Sequence, residues 1–111
     1  MKKKMTDKIP DSLEPVGVKI PLPGGGYKIH TRRKLKPNRT EYYDAEGRLH
    51  REDGPALEWD YGQKEYVIHG QRHRIDGPAV VWWNGDVEYW LNNRQVTAAD
   101  MPNLTLEDLL Q

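Results

Sequence analysis

The chain has 111 residues, carries 17 Lys or Arg against 17 Asp or Glu, and contains no cysteine. That length suits one domain with a modest core, and the missing cysteines exclude disulfides and thiolate metal sites. There is no run of about 18 apolar residues, and the lysine-led start continues into Thr6-Asp7-Lys8 rather than an apolar signal core, so a soluble, cytoplasmic protein with no membrane partner is expected.

The zero net charge hides a division. Residues 1–40 hold eleven Lys or Arg and three Asp or Glu, a balance of +8, whereas residues 41–111 hold six and fourteen, a balance of −8. Two consequences compete: a basic arm that meets nucleic acid or an acidic partner, or one that folds back on its own acidic body.

Residues 1–15 are polar, include two prolines and show no periodicity, which predicts a flexible tail ahead of a single repeat domain over 16–111. Val16, Val18, Ile20 and Leu22 alternate at period two and predict a strand, ended by Pro21 and Pro23. Gly24-Gly25-Gly26 predicts a turn, and no Gly-Lys-Ser/Thr follows to make it a phosphate loop. Tyr27 to Leu35 predicts a second strand with Lys28, His30, Arg32 and Lys34 along one side. Lys36-Pro37-Asn38-Arg39 predicts a turn, and Thr40 to Asp44 the returning strand.

Next comes a segment written twice. Gly47-Arg48-Leu49-His50-Arg51-Glu52-Asp53-Gly54-Pro55-Ala56 returns 23 residues later as Gly70-Gln71-Arg72-His73-Arg74-Ile75-Asp76-Gly77-Pro78-Ala79, with the common core His-Arg-x-Asp-Gly-Pro-Ala. Each copy is followed by two strand-like runs around a glycine turn. Tyr61-Gly62 and Asn84-Gly85 predict two-residue hairpin loops. Such pairing sets Trp59 opposite Lys64 and Leu57 opposite Tyr66, and it gives the second hairpin a core face of Val80, Trp82, Val87, Tyr89 and Leu91. Tyr43 stands 23 residues before Tyr66, so a degenerate earlier unit is expected from Tyr27 onward. After Asn93 the pattern fades. Thr105 and Asp108 then resemble a capping box and Leu104, Leu106, Leu109 and Leu110 supply an apolar side, which predicts a short C-terminal helix capping the last hairpin. The fold class is therefore mainly β: an antiparallel meander of stacked hairpin repeats with a 23-residue period.

Within the repeated core, aspartate and proline suit a turn, and glycine suits a backbone conformation closed to other residues. Histidine and arginine are placed to bond to carbonyls or to an aspartate of the same or next unit, which makes the segment a stacking joint. The rival is a metal or catalytic constellation of His50, Asp53, His73 and Asp76. A repeat ladder separates equivalent residues by a strand-pair step, a poor way to converge on one ion. No Gly-x-Ser-x-Gly, His-Glu-x-x-His or Walker loop is present, so no catalytic residue, metal or cofactor is assigned.

These residues resemble the variant MORN-type repeats built around His-Arg-x-Asp-Gly-Pro-Ala, an Asp-Gly-like turn and a Trp or Tyr strand, over residues 41–95. The Tyr-x-Gly-x-Trp core of the ordinary MORN repeat is missing, so the lipid-binding role proposed for that family is not carried over. The resemblance implies stacked hairpins used for protein association, in proteins frequent in bacteriophages, large viruses and bacteria.

The resulting expectation is a non-enzymatic interaction module, an inhibitor or adaptor of a cellular or phage complex. It would bind another protein, or a second copy of itself, through Val81, Trp83 and Trp90 beside Glu58 and Asp60. The first alternative is nucleic-acid binding by the basic segment 27–39 through Lys28, Arg32, Lys34 and Arg39. The second is a metal-dependent enzyme built on the His/Asp joints.

Overall fold

The computed structural model describes residues 14–33 and 36–102. Ten strands follow one another: β1 (Ile20–Pro21), β2 (Tyr27–Arg33), β3 (Lys36–Tyr43), β4 (Leu57–Trp59), β5 (Lys64–Glu65), β6 (Val67–Ile68), β7 (Gln71–Arg72), β8 (Val80–Val81), β9 (Val87–Leu91) and β10 (Arg94–Val96). Eight form one antiparallel meander in the order β1-β2-β3-β4-β5-β8-β9-β10, and β6 and β7 pair as a small separate hairpin. The 3-10 turn Ala98–Asp100 follows, its Thr97 and Asp100 closing a capping box. The helix expected over Thr105 to Leu110 lies outside the described residues, as does most of the expected N-terminal tail. No helix among the described residues is long and apolar enough to cross a membrane.

Several boundaries differ from expectation, each for a local reason. The strand expected over Val16 to Leu22 is cut to Ile20–Pro21, because Gly17 takes φ 79° and its N–H turns to the carbonyl of His30 at 2.7 Å. The turn expected over Lys36 to Arg39 is instead strand. Pro37 is accommodated there because it lies beyond the end of β4 and beside an irregularity in the β2–β3 register, so no ladder bond is asked of its missing N–H.

The hairpin loops have three residues, not two. Trp59 N–H donates to the Gln63 carbonyl at 2.9 Å, and Trp82 N–H to the Asp86 carbonyl at 2.8 Å. Gly62 and Gly85 alone take positive φ in these loops, 109° and 91°, so each is a type I turn closed by a glycine bulge. The extra loop residue slips the pairing by one position, and a one-residue slip turns every returning side chain to the other face. Glu41, Leu57, Glu65, Val80 and Glu88 accordingly share one face, and Thr40, Glu58, Lys64, Val81 and Val87 share the other.

The core gathers where the joints close on the sheet. Ala56, Ala79 and Val80 are wholly buried, with Val67, Tyr42 and Met101 nearly so. Burying Val80 contributes about 1.5–3 kcal/mol. Glu41, Asp44 and Gln63 are buried polar residues.

Candidate functional site

Each written-twice segment folds into the same clamp. The guanidinium of Arg51 lies 4.0 Å above the Tyr42 ring, donates from Nε to Asp53 Oδ1 at 3.0 Å and from Nη1 to the Pro55 carbonyl at 3.2 Å. Arg74 repeats this on Tyr66, Asp76 and the Pro78 carbonyl at the same three distances. The structural counterpart of Tyr66 is thus Tyr42, not Tyr43. The turn after Tyr42 carries one residue more than the turn after Tyr66: Asp44 N–H reaches the Arg48 carbonyl across three residues, whereas His69 and Gly70 alone bridge β6 and β7.

The clamp also explains the glycine, and differently from the sequence expectation. Gly54 and Gly77 do not take positive φ. A Cβ would stand 3.0 Å from Arg51 Cζ at Gly54 and 2.9 Å from Arg74 Cζ at Gly77, so glycine is there to let the guanidinium lie against the backbone.

The histidines do a second job. His50 Nδ1 accepts the backbone N–H of His69 at 2.9 Å, and His73 Nδ1 accepts that of Asn92 at 2.9 Å. The donors sit in tight turns with positive φ at both central residues, His69-Gly70 and Asn92-Asn93. Backbone bonds complete each joint: Gly70 N–H to the Leu49 carbonyl and Asn93 N–H to that of Arg72, at 2.7 and 2.8 Å.

Metal ligation is poorly served by this geometry. Among the described residues the group close enough to share an ion is Asp44, His50 and His69, with ligand atoms within 4.8 Å of one another, not the rival set of His50, Asp53, His73 and Asp76. His50 Nδ1 already accepts an N–H, so its neutral ring carries the proton on Nε2 and neither nitrogen offers a free lone pair. Asp44 is equally committed. Its Oδ1 accepts the N–H groups of Glu46 and Arg48, and its Oδ2 takes Arg48 Nε at 2.9 Å and lies 2.8 Å from His69 Nδ1. Burial tends to raise the Asp44 pKa. The bonds from His69 and from the Arg48 backbone and side chain, with the Arg48 charge, outweigh it and hold the carboxyl well below the usual range. With the His50 and His69 rings stacked at 4.0 Å, the cluster staples one unit to the next. Sequence reasoning missed it, because Asp44 and His69 belong to no repeated motif.

A second cluster ties in the residues before β1. His30 Nδ1 is 2.8 Å from Thr40 Oγ1, and its Nε2 is 2.7 Å from Glu14 Oε1, which Lys28 also approaches at 3.0 Å. Burial raises the Glu14 pKa, but His30 and Lys28 hold it below its usual value. A hydroxyl, an imidazole and a carboxylate in line beside a cleft of about 320 Å³ suggest a nucleophile. Yet β3 has partner strands on both sides at Thr40, so its backbone N–H groups there are committed to ladders. Glu14 and Val16 are thereby pinned to the sheet, Val16 bridging to His30.

The expected contact residues are not brought together on one face. Trp83 occupies the tip of the β8–β9 hairpin with 68% of its surface exposed. Val81 pairs with Val87, which is 44% exposed. Trp90 belongs to the other face, where its indole N–H donates to Glu88 Oε1 at 2.9 Å. Glu58 lies 3.6 Å from Arg51 Nη1, and exposed Asp60 accepts the Asn38 N–H at 3.3 Å. Of the basic segment, Lys28 is ion-paired to Glu14, and Arg39 is ion-paired to Glu41 and lies 4.9 Å over Trp59. Arg32 lies on β2, and Lys34 is outside the described residues. Tyr43, which also donates to Glu41, has its phenol pushed up to about 12 by burial and by that carboxylate.

Comparison with protein-family models, with curated proteins and with solved structures finds no match in any of the three.

Proposed function

We propose that the protein is a non-enzymatic protein-binding module, in which the joints are scaffold and the hairpin tips are the contact surface. The observation that carries this reading is Trp83, a tryptophan 68% exposed at a tight turn. Val81 and Val87 continue the apolar strip beside it, with Glu58 and Asp60 on the neighbouring hairpin. Tyr61, 43% exposed at the tip of the β4–β5 hairpin, leans instead on Trp59 and donates to Gln63, on the face opposite Val81 and Val87. Exposed aromatic anchors inside a polar rim are the usual makings of an interface hot spot. The repeat architecture supports the reading as well, since stacked units offer a row of variable turns on a constant frame. The resemblance to variant MORN-type repeats points the same way.

The test is affinity capture from native cell extract with the wild-type chain and with Trp83→Ala and Val87→Ser, alongside sedimentation of each. Retention of a specific protein, or of a second copy, should fall at least tenfold in both variants while their circular dichroism is unchanged. Equal capture and an equal oligomeric state in Trp83→Ala would remove the tip from the interface.

A further inference from the structure

Three glutamates occupy matching places on one face of the sheet, Glu41 on β3, Glu65 on β5 and Glu88 on β9. Glu41 is ion-paired to Arg39, whose guanidinium lies 4.9 Å over the Trp59 ring. Glu65 is ion-paired to Arg72 at 3.2 Å, and that guanidinium lies 4.9 Å over the Trp90 ring. Glu88 has no cation among the described residues. Its two oxygens accept indole N–H groups instead, Trp82 Nε1 at 2.8 Å and Trp90 Nε1 at 2.9 Å.

The repeat register explains the missing partner. Two residues before the glutamates stand Arg39, Gln63 and Asp86, and at the joint-side position stand Leu49, Arg72 and Gln95. The first two glutamates each draw an arginine from one of these positions, while the third finds none in either. Gln95 pairs with Trp90 as Arg72 pairs with Val67, so the place is built and, among the described residues, only the cation is absent. Among the described residues the outer edge of β9 is also open beside it, since β10 pairs only with Tyr89, Trp90 and Leu91. Beyond residue 102 the chain, Asn103 to Gln111, contains no Lys or Arg.

We propose that Glu88, between Trp82 and Trp90, receives the guanidinium of an arginine carried by a partner protein. The inference rests on the protein-binding reading above and names the chemistry of a partner that reaches around the β8–β9 hairpin, since Glu88 lies on the face opposite Val81 and Val87. A half-buried carboxylate held only by neutral donors gains a bidentate charged bond, and the neighbouring indoles give the flat cation a surface to stack on. Arginine fits better than lysine for the reason the two internal precedents use it: a planar fork that can pair and stack at once.

The test follows the indole N–H resonances of Trp82 and Trp90 while guanidinium chloride is added far below denaturing concentrations, with sodium chloride and urea as controls. Both signals should move saturably with guanidinium alone. Glu88→Gln should abolish the response. Gln95→Arg, which restores the repeat's own arginine, should abolish it too and raise the melting temperature by roughly 2–5 °C, a gain that Glu88→Gln cancels. Movement matched by sodium chloride, or a response surviving Glu88→Gln, overturns the site. Self-association that Glu88→Gln abolishes overturns the partner protein in favour of a second copy. Trp83→Ala separates this inference from the reading beneath it: the guanidinium response should survive that change, whereas capture of the partner should not.

Discussion

Replacing Arg74 with alanine should destabilise the protein well beyond an ordinary surface substitution. The truncation removes a guanidinium stacked 4.0 Å over Tyr66, its bond to the Pro78 carbonyl at 3.2 Å and its pair with Asp76 at 3.0 Å. The stacking contributes about 0.5–2 kcal/mol, and the charged bond to a half-buried carbonyl about 1.5–3 kcal/mol. The pair with Asp76, whose side chain is 69% exposed, adds about 0–1 kcal/mol. The Arg74 side chain is itself 28% exposed, which places the total in the lower half of that range, about 2–3 kcal/mol. At about 4–8 °C per kcal/mol for a domain this size, the melting temperature should fall by roughly 10–20 °C. Urea titration followed by tryptophan fluorescence should give a lower midpoint with an unchanged slope. Arg74→Lys keeps the charge but loses the fork, and should recover less than half of the loss. A loss below about 0.5 kcal/mol, the size of an ordinary surface substitution, or full rescue by lysine would refute the clamp.

Gly77→Ala drives a Cβ into the same guanidinium and should cost about 1–2 kcal/mol, while the double variant with Arg74→Ala should be no less stable than Arg74→Ala alone, because the two changes disrupt one contact. Asp44→Asn should destabilise the fold most above the ordinary carboxyl pKa. The folded-state value is depressed, so the charge contributes fully above the unfolded value of 3.8 and that contribution is lost as pH falls toward the folded one. Denaturation curves of wild type and variant should therefore converge on acidification; curves that stay parallel would mean the charge is not what matters. His73→Phe removes the acceptor of the Asn92 N–H and should cost about 1 kcal/mol, with faster amide exchange at Asn92 as its local signature. Trp83→Ala should shift stability by less than about 0.5 kcal/mol, and a larger loss on thermal melting would place that ring in the core.

The period of 23 residues was legible because two copies of a ten-residue segment leave little freedom, and with it came the antiparallel meander and the joint role of His50, Arg51, His73 and Arg74. Facing was not legible. Asn84-Gly85 reads as a two-residue loop, but the bond from Trp82 to Asp86 encloses Trp83 as well, and that single residue exchanges the sides of Val87 and Glu88. Periodicity fixes alternation along each strand and says nothing about phase between strands, so Trp90 and Val81 were grouped on one face when the register divides them. The staple of Asp44 and His69 was hidden for another reason. It joins a turn of one unit to a turn of the next, and no spacing rule within either unit refers to the other. His30 was unreadable in the same way, since its partners Glu14 and Thr40 come from two other segments of the chain.

Each clamp closes within one unit, from Tyr42 to Pro55 and from Tyr66 to Pro78, and each joint reaches only to the unit beside it. Length is therefore a free variable of this architecture. A duplicated 23-residue unit placed between β5 and β8 would bring its own arginine, tyrosine, histidine and turn, and would present to its neighbours the same ladder edges they already use. Unequal exchange between copies of the coding segment could lengthen or shorten such a protein in whole units without reopening any packing problem, leaving selection to act on the turns.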